Sequence, residues 1–305
     1  MLGTDSFIIP RVAVLLAAYN GCQWLSAQLQ SILDQQGVYV RVFISVDKSS
    51  DGTEALVDNW ASKDARVIPL PYGDRLGGAA KNFYHLIRNV DFSSFDYVSF
   101  ADQDDIWVAD KLVCAHRQLS QGRFAAYSGN VTAFWPDGRE LLLDKAQPQR
   151  QYDFLFEAAG PGCSYVLTVA DALNFKGFLL EHWQDANKVF LHDWLVYAWF
   201  RANGLRWFID PSPKIQYRQH ASNQVGANAG FKAFKARLVL LRQGWYRAQI
   251  AQIVGLLGAN VASVQGGIGQ DGTVSKTFLI RNIGQLRRRP RDRVFLFFII
   301  LLGVY

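Results

Sequence analysis

The sequence predicts an α/β fold: a mostly parallel, Rossmann-like sheet with helices on both faces, followed by basic amphipathic helices at the C-terminal end. Three observations predict it. Apolar runs of strand length alternate with stretches of helical spacing from Arg11 to Leu119. Several of these units carry polar groups where their turns begin, at Tyr19, Asp47, Lys81 and Asp102, and in open α/β sheets ligands bind outside the carboxyl ends of the strands. From Phe231 onward, arginine and lysine interleave with aromatic and aliphatic residues.

In order, Arg11 to Ala18 is a continuous apolar run closed by Tyr19-Asn20-Gly21, a buried parallel-type strand. Trp24, Leu25, Gln28, Leu29, Ile32 and Leu33 recur at helical spacing until Gly37. Tyr39 to Val46 is the second strand, and Asp51 or Thr53 caps the helix running to Trp60. Val67 to Leu70 leads through Leu76-Gly77-Gly78 into a helix carrying Phe83, Leu86, Ile87 and Val90. Tyr97 to Phe100 is a short buried strand that opens into Ala101-Asp102-Gln103-Asp104-Asp105-Ile106-Trp107, and a helix follows near Ala109 with Lys111, Leu112 and Leu119.

After Leu119 the pattern becomes α+β. Ala125 to Tyr127 and Val131 to Trp135 read as strands around a Pro136-Asp137-Gly138 turn, and Cys163 to Val169 as another. A helix runs from Val189 through Arg201 to Asn203-Gly204, and Trp207 to Ile209 and Ile215 to Arg218 are strand-like before His220 and a Gly-Asn-rich loop. Beyond it Lys232, Lys235, Arg237, Arg242 and Arg247 alternate with Phe234, Leu238, Leu241, Trp245 and Ile250. Arg287-Arg288-Arg289-Pro290-Arg291-Asp292-Arg293 then precedes an apolar end, Val294 to Tyr305, shorter than the ~20 residues a bilayer requires. These features divide the chain into 1–225, with halves 1–120 and 121–225, and a helical region 226–305.

At 305 residues, half of them hydrophobic, the chain buries a sizeable core and is not disordered. The net charge of +6 is uneven, with much of the basic excess in the last third. That surface suits an anionic partner. Apolar residues beside the charges favour lipid, and no recognition module accompanies them for nucleic acid. The alternative is that these helices pack on the main domain or on a second subunit. Cys22, Cys114 and Cys163 are odd in number and lack ligand spacing, which fits a reducing cytosol. No basic-then-apolar leader opens the chain, so retention in the cytoplasm is expected.

The acidic run at Asp102 to Asp105 is the chemical centre of the sequence. Three carboxylates at the end of an apolar strand repel one another, and hard divalent ions such as Mg²⁺ or Mn²⁺ take carboxylate oxygens together with substrate phosphates. With Ala17-Ala18-Tyr19-Asn20-Gly21, Val46-Asp47, Asp51-Gly52-Thr53, Gly77 to Asn82, His192-Asp193-Trp194 and Tyr217-Arg218-Gln219-His220, the run resembles bacterial glycosyltransferase family 2, of the GT-A fold. Within it the chain is similar to rhamnosyltransferases of surface-polysaccharide (O-antigen or capsule) biosynthesis. The match extends to His220.

The resemblance implies that Ala17, Tyr19 and Asp47 hold the nucleotide base, the carboxylate accepting the imide N–H of uracil or thymine. Taken alone, Asp47 reads equally as a loop cap and Lys81, matched to a nucleotide contact, as a solvated helix charge. Lys48 departs from the family, where many relatives have a second acidic residue. The resemblance also places Asp102 and Gln103 on the nucleotide sugar, Asp104 on the divalent cation, and His220 on the cation or a phosphate oxygen. It makes Asp193 the base that deprotonates the acceptor hydroxyl in an inverting transfer, where the bare sequence also allows a helix N-cap. Asp105, Trp107, Gly162, Cys163 and Trp194 fall on the acceptor side. The implied donor is dTDP-β-L-rhamnose, with a UDP-hexose or UDP-N-acetylhexosamine as the alternative. The implied acceptor is a lipid-linked oligosaccharide, at a cytoplasmic, peripheral site on the anionic inner face of the membrane, with a homo-oligomer left open. Two other classes compete: a non-catalytic nucleotide-sugar-binding subunit, and a nucleotidyltransferase. The latter needs a Gly-rich basic loop where Tyr19-Asn20-Gly21-Cys22-Gln23 stands.

Overall fold

The period-2 geometry of strand β1 (Arg11–Ala18) sorts its side chains into two cores. Val12, Val14, Leu16 and Ala18 join one cluster, and Ala13, Leu15 and Ala17 the other. In this computed structural model, which describes residues 9–220, 239–264, 267, 269 and 273–301, β1 is a central strand buried on both faces. The expected Gly-Asn-rich loop, Lys232, Phe234, Lys235, Arg237, Leu238 and residues 302–305 lie outside the described residues.

Around β1 are β2 (Tyr39–Val46), β3 (Val67–Pro69), β4 (Tyr97–Asp102), β6 (Ala126–Gly129), β9 (Val166–Thr168) and β10 (Trp207–Asp210), in the order β10-β6-β9-β4-β1-β2-β3. All pairings are parallel except those of β9, which runs antiparallel to β4 and β6. Helices α1 (Leu25–Leu33), α2 (Thr53–Lys63) and α4 (Lys111–Leu119) cover one face. Helices α3 (Ala79–Asn89), α5 (Val169–Glu181) and α7 (His192–Ala202) cover the other, and a one-turn helix α6 (Trp183–Ala186) connects the last two. A smaller sheet, β5 (Ile106–Trp107), β11 (Ile215–Arg218), β7 (Val131–Phe134) and β8 (Glu140–Leu143), stands beside the acidic loop.

The strand expected at Cys163 to Val169 is shorter. Gly162–Ser164 forms a 3₁₀ turn closed by Ser164 N–H and Oγ–H on the Pro161 carbonyl. From Val169 the chain is helical. Thr168 Oγ donates to Asp171, while Ala172, Phe175 and Leu179 face the core.

The C-terminal segment packs on the main domain. In α8 (Trp245–Leu257), Ile250, Ile253, Leu256 and Leu257 join the cluster that holds Leu195 and Trp199 of α7. Leu279, Leu286, Leu296 and Ile300, from α9 (Lys276–Arg281), α10 (Ile283–Leu286) and α11 (Pro290–Leu301), join it too.

This corrects the expectation that the arginine run as a whole faces lipid. Arg288 is 1% exposed, ion-paired to Asp153 at 3.4 Å and to Glu157 at 3.6 Å, and it donates to the Ala158 carbonyl. Arg287 donates to the Phe156 carbonyl and Arg289 to that of Asp144. Asp153, itself fully buried and also bonded by Arg201 and Tyr197, is the anion that draws Arg288 inward. No described helix is long and apolar enough to cross a membrane.

Removing one partner of a buried ion network leaves a charge without compensation, at a cost of about 3–5 kcal/mol. Arg288→Met is therefore expected to lower the urea-unfolding free energy by about that amount. Arg291→Met, whose side chain is 76% exposed, is expected to leave it unchanged.

Candidate active site

The strand order places β2 and β3 on one side of β1 and β4 on the other, so the chain reverses direction across the sheet between β1 and β4. That switch point is where a ligand crevice opens in such sheets. Ala17 pairs with Asp102 in register there, and Asp47 N–H donates to the Ala18 carbonyl, so three strand ends meet at one edge.

The loops above this edge are fastened to each other. Gly21 N–H donates to Thr53 Oγ, Cys22 N–H to Asp51, and Ser50 N–H to Asn20, which holds a left-handed φ of 45°. The N-cap of α2 is Gly52, at φ 89°, rather than Asp51 or Thr53 as expected, and Asp51 accepts the Thr53 amide and hydroxyl beside it. Asn82 donates to the carbonyls of Ala18 and Ser45 and locks α3 against the strand ends. Gly77 and Gly78, at φ 82° and 146°, take the turn into α3 through conformations that residues with a Cβ rarely adopt. The Asp47 carboxylate accepts the amides of Leu76 and Gly77 at 2.9 and 2.8 Å. Gln103 exchanges two hydrogen bonds with the backbone of Tyr19, so its amide fixes the loop that presents the half-exposed Tyr19 ring. A Cβ at Gly21 would overlap the Gln103 side chain.

On the far side of the acidic loop, Asp104 Oδ2 and His220 Nε2 are 2.8 Å apart, and the His220 ring stacks on Trp24 at 3.9 Å. Arg218 brings β11 to this position. Its Nε donates to the Asp104 carbonyl and its amide to Asp105 Oδ1.

Beneath lies a buried polar layer. Asp105 and Cys163 are fully buried, and together with Asp102 their ligand atoms lie within 4.8 Å of one another. Lys111 points its ammonium at Ser99 and over the Trp107 ring, 3.3 Å from its centre. Burial, then the charges of Asp104 and Asp193, pushes Asp102 up to about 7. Burial, then Asp104 and Asp102, drives Asp105 well above the carboxylate range. Burial, then the neighbouring carboxylates, holds the Cys163 thiol well above its own range. Burial also depresses Lys111 to about 7.

Asp193 occupies the second residue of α7, with Leu191 as its N-cap, so the capping role that the sequence allowed falls elsewhere. Its Oδ1 accepts the Trp194 amide, and the Tyr165 hydroxyl donates to its carbonyl. Burial raises it to about 6 against the opposing effects of the Trp194 amide and the Lys145 charge. His192 beside it is buried and stacked on Phe83 at 3.9 Å, and burial lowers it to about 3. A Cβ at Gly162 would come within 2.5 Å of His192 Nε2 and 3.2 Å of Asp193 Cβ. The glycine is thus the position that lets the Pro161 turn approach the start of α7.

One cleft of about 2130 Å³ collects Ala17, Tyr19, Asp47, Asp102, Gln103, Asp104, His220, Gly162, Asp193 and Trp194. That exceeds the ~300–1,000 Å³ of an ordinary small-molecule site and leaves room for two substrates. Lys81 is not in it. Its side chain is exposed on α3, whereas Arg75, which sequence reasoning passed over because no motif marks it, lines the cleft. Asp105, Trp107 and Cys163, expected on the acceptor side, are interior residues, since the loop after Asp104 folds back to pair β5 with β11. Trp194 reaches the cleft but is 3% exposed, its indole N–H committed to the Phe154 carbonyl. Trp24 was legible only as a helix start, yet it is the platform for His220.

Solved structures with this architecture are GT-A glycosyltransferases. One is residues 1–349 of S. aureus TarS in complex with UDP-GlcNAc, at TM-score 0.55 and 12% identity over 96% of this chain and 80% of that one. Another is the Pyrobaculum calidifontis mannosyltransferase PcManGT with GDP-Man and Mn²⁺, at TM-score 0.51 and 16% identity over 97% and 86%. The sequence narrows the class. The model of glycosyl transferase family 2 matches residues 13–165, and the dTDP-rhamnosyl transferase RfbG of Shigella flexneri is 40% identical over 95% of this chain and 100% of its own. A more distant relative is the glucosyltransferase WfgD of Escherichia coli, whose name gives α-D-GlcNAc-diphosphoundecaprenol as acceptor, at 24% identity over 57% of this chain and 66% of that one. The chain belongs to glycosyl transferase family 2 and is a glycosyltransferase of surface-polysaccharide assembly.

A base must be ionised to act. Because the folded pKa of Asp193 is raised from 3.8 to about 6, its proton persists to higher pH, and kcat/KM is expected to rise through about pH 6 and level off above it. The same raised value means that the native state binds the proton more tightly than the unfolded chain, so ionisation costs stability as pH rises. Asp193→Asn is then expected to melt above the parent at pH 7.5 and level with it at pH 3.5. A pH–rate profile that is flat from 5 to 8 would be inconsistent with the base assignment.

Proposed function

We propose that the chain transfers L-rhamnose from dTDP-β-L-rhamnose to a hydroxyl of a lipid-linked bacterial glycan, with inversion at the anomeric carbon. The observation that carries this reading is the placement of Asp193. It is a half-buried carboxylate, raised to about 6, that shares a cleft with the strand-end acids and has no ion pair with a lysine or arginine among the described residues. At neutral pH it is ionised yet more basic than an exposed aspartate. The 40% identity to a dTDP-rhamnosyl transferase across 95% of the chain supports the donor.

In this reading the pyrimidine lies against Ala17 and the Tyr19 ring. Each Asp47 oxygen, already accepting one amide, has a second lone pair for the imide N–H. Arg75 and the Gly77-Gly78 turn flank the nucleotide. Asp193 removes the proton of the acceptor hydroxyl as its oxygen bonds to C1. The C1–O bond to phosphate breaks, and dTDP departs with the electron pair on the opposite face.

The donor set suits a divalent cation. Carboxylate and imidazole converge at Asp104 and His220, at the cleft surface. The deeper trio with Cys163 does not suit Mg²⁺ or Mn²⁺, because its thiol is buried and held protonated. Asp104 and His220 would hold the ion, with Asp102 behind them. When bound, it neutralises the charge growing on the departing diphosphate. Attachment to the inner membrane face is supported by Val294, Phe298 and Leu301, all 56–57% exposed along α11, with exposed Arg291 at its start.

Asp193→Asn is expected to reduce transfer at least ~10³-fold while keeping cation-dependent dTDP binding. Asp104→Ala is expected to lose both. Near-full turnover in Asp193→Asn, measured by dTDP release, would remove Asp193 from the base role.

A further inference from the structure

The cleft extends past Asp193 along a wall that nucleotide and sugar do not need. Three side chains there are large, apolar and exposed: Leu141 at 43% and Leu142 at 51% on β8, and Phe190 at 47% before α7. The same cleft is lined by Lys145, Arg287 and Arg289. These cations are linked to the apolar wall through the chain, because Arg289 donates to the carbonyl of Asp144, one residue before Lys145.

Lys145 is the informative member. Its backbone amide donates to Asn130, but its ammonium has no hydrogen bond or ion pair among the described residues. Burial, with Arg288, Arg287 and Arg289 nearby, lowers it to about 8 against the pull of Glu157. A partly buried ammonium crowded by guanidinium groups is costly unless an anion joins them. Arg289 donates to one backbone carbonyl, and Arg287 donates to another and pairs with Asp292 at 3.7 Å; each guanidinium has further N–H groups, the geometry suited to phosphate oxygens.

We propose that Lys145, Arg287 and Arg289, with Leu141, Leu142 and Phe190, form a subsite for the phosphate and adjoining hydrocarbon of a lipid-phosphate acceptor. The proposal rests on the glycosyl-transfer reading above and assigns its acceptor a place. Charge complementarity selects the occupant. A neutral glycan has no use for three cations, a soluble phosphate has no use for three exposed apolar side chains, and a lipid phosphate uses both. The C-terminal segment thereby completes the substrate cleft, since Arg287 and Arg289 are the residues it contributes.

The test uses farnesyl diphosphate as the probe, with inorganic pyrophosphate and farnesol as its two halves. Binding to the full chain is measured by titration calorimetry, with and without saturating dTDP and Mn²⁺. Farnesyl diphosphate is expected to bind at least ~10-fold tighter than either half and to be undisturbed by dTDP. Lys145→Ala, which breaks no side-chain hydrogen bond or ion pair among the described residues, is expected to weaken both farnesyl diphosphate and pyrophosphate by ~10-fold or more. Leu142→Ser is expected to weaken farnesyl diphosphate alone. Displacement of the probe by dTDP, equal affinity for pyrophosphate, or unchanged binding in both variants overturns the subsite. If dTDP itself fails to bind, the donor reading falls, while the titration without dTDP still decides the subsite.

Discussion

Mutual repulsion among carboxylates at the end of β4 is the constraint on which this molecule is built. Asp102, Asp104 and Asp105 follow one another within four residues of chain, and Asp193 faces them from α7. Four such charges cannot all be ionised in a partly buried site without cations. The fold answers in layers. Asp105 is turned inward beside Lys111 and Cys163 and held above its normal range. Asp104 is matched to His220, which β11 delivers through two hydrogen bonds from Arg218. Asp102 and Asp193 are left raised to about 7 and about 6, and in the proposed function a divalent ion with a diphosphate would relieve them.

The repulsion also accounts for where sequence reasoning succeeded. Each strand from β1 to β4 was visible as an apolar run, because a sheet buried on both faces leaves little room for polar residues. The polar residues that end those strands were therefore conspicuous, and Asp47, Asp102, Asp104 and Asp193 fell in one cleft. Direction within the loop was not visible. Asp104 and Asp105 are adjacent and chemically alike, and only the two-residue pairing of β5 with β11 decides that one faces the cleft and the other the interior. Lys81 and Arg75 differ in the same way: Arg75, in the loop before the Gly77-Gly78 turn, lines the cleft, and Lys81, on α3 after it, is exposed outside it. Helix α5 was not read from the sequence, although Ala172, Phe175 and Leu179 carry its spacing, and the strand reading of Cys163 to Val169 covered its start.

The C-terminal region shows how burial can reverse a reading of charge. Three consecutive arginines look like a lipid-binding patch when their partners are distant in sequence. Asp153 and Glu157 lie about 130 residues earlier and convert the middle arginine into a core residue. Its two neighbours line the cleft. Exposed apolar surface is instead concentrated on the outer side of α11, where Val294, Phe298 and Leu301 follow helical spacing.

The central claim is a cation-dependent pyrimidine nucleotide-sugar site at the β1–β4 switch point. Thermal melting of the full chain with dTDP, UDP, GDP and CDP, each with and without Mn²⁺, tests it most directly, because a ligand specific to the native state raises its stability by ~2.7 kcal/mol at 100 times its Kd. The account predicts a rise in Tm with dTDP that requires the cation and exceeds that of the other three. A larger rise with UDP would contradict the rhamnosyl donor, and no rise with any of the four would contradict the site itself.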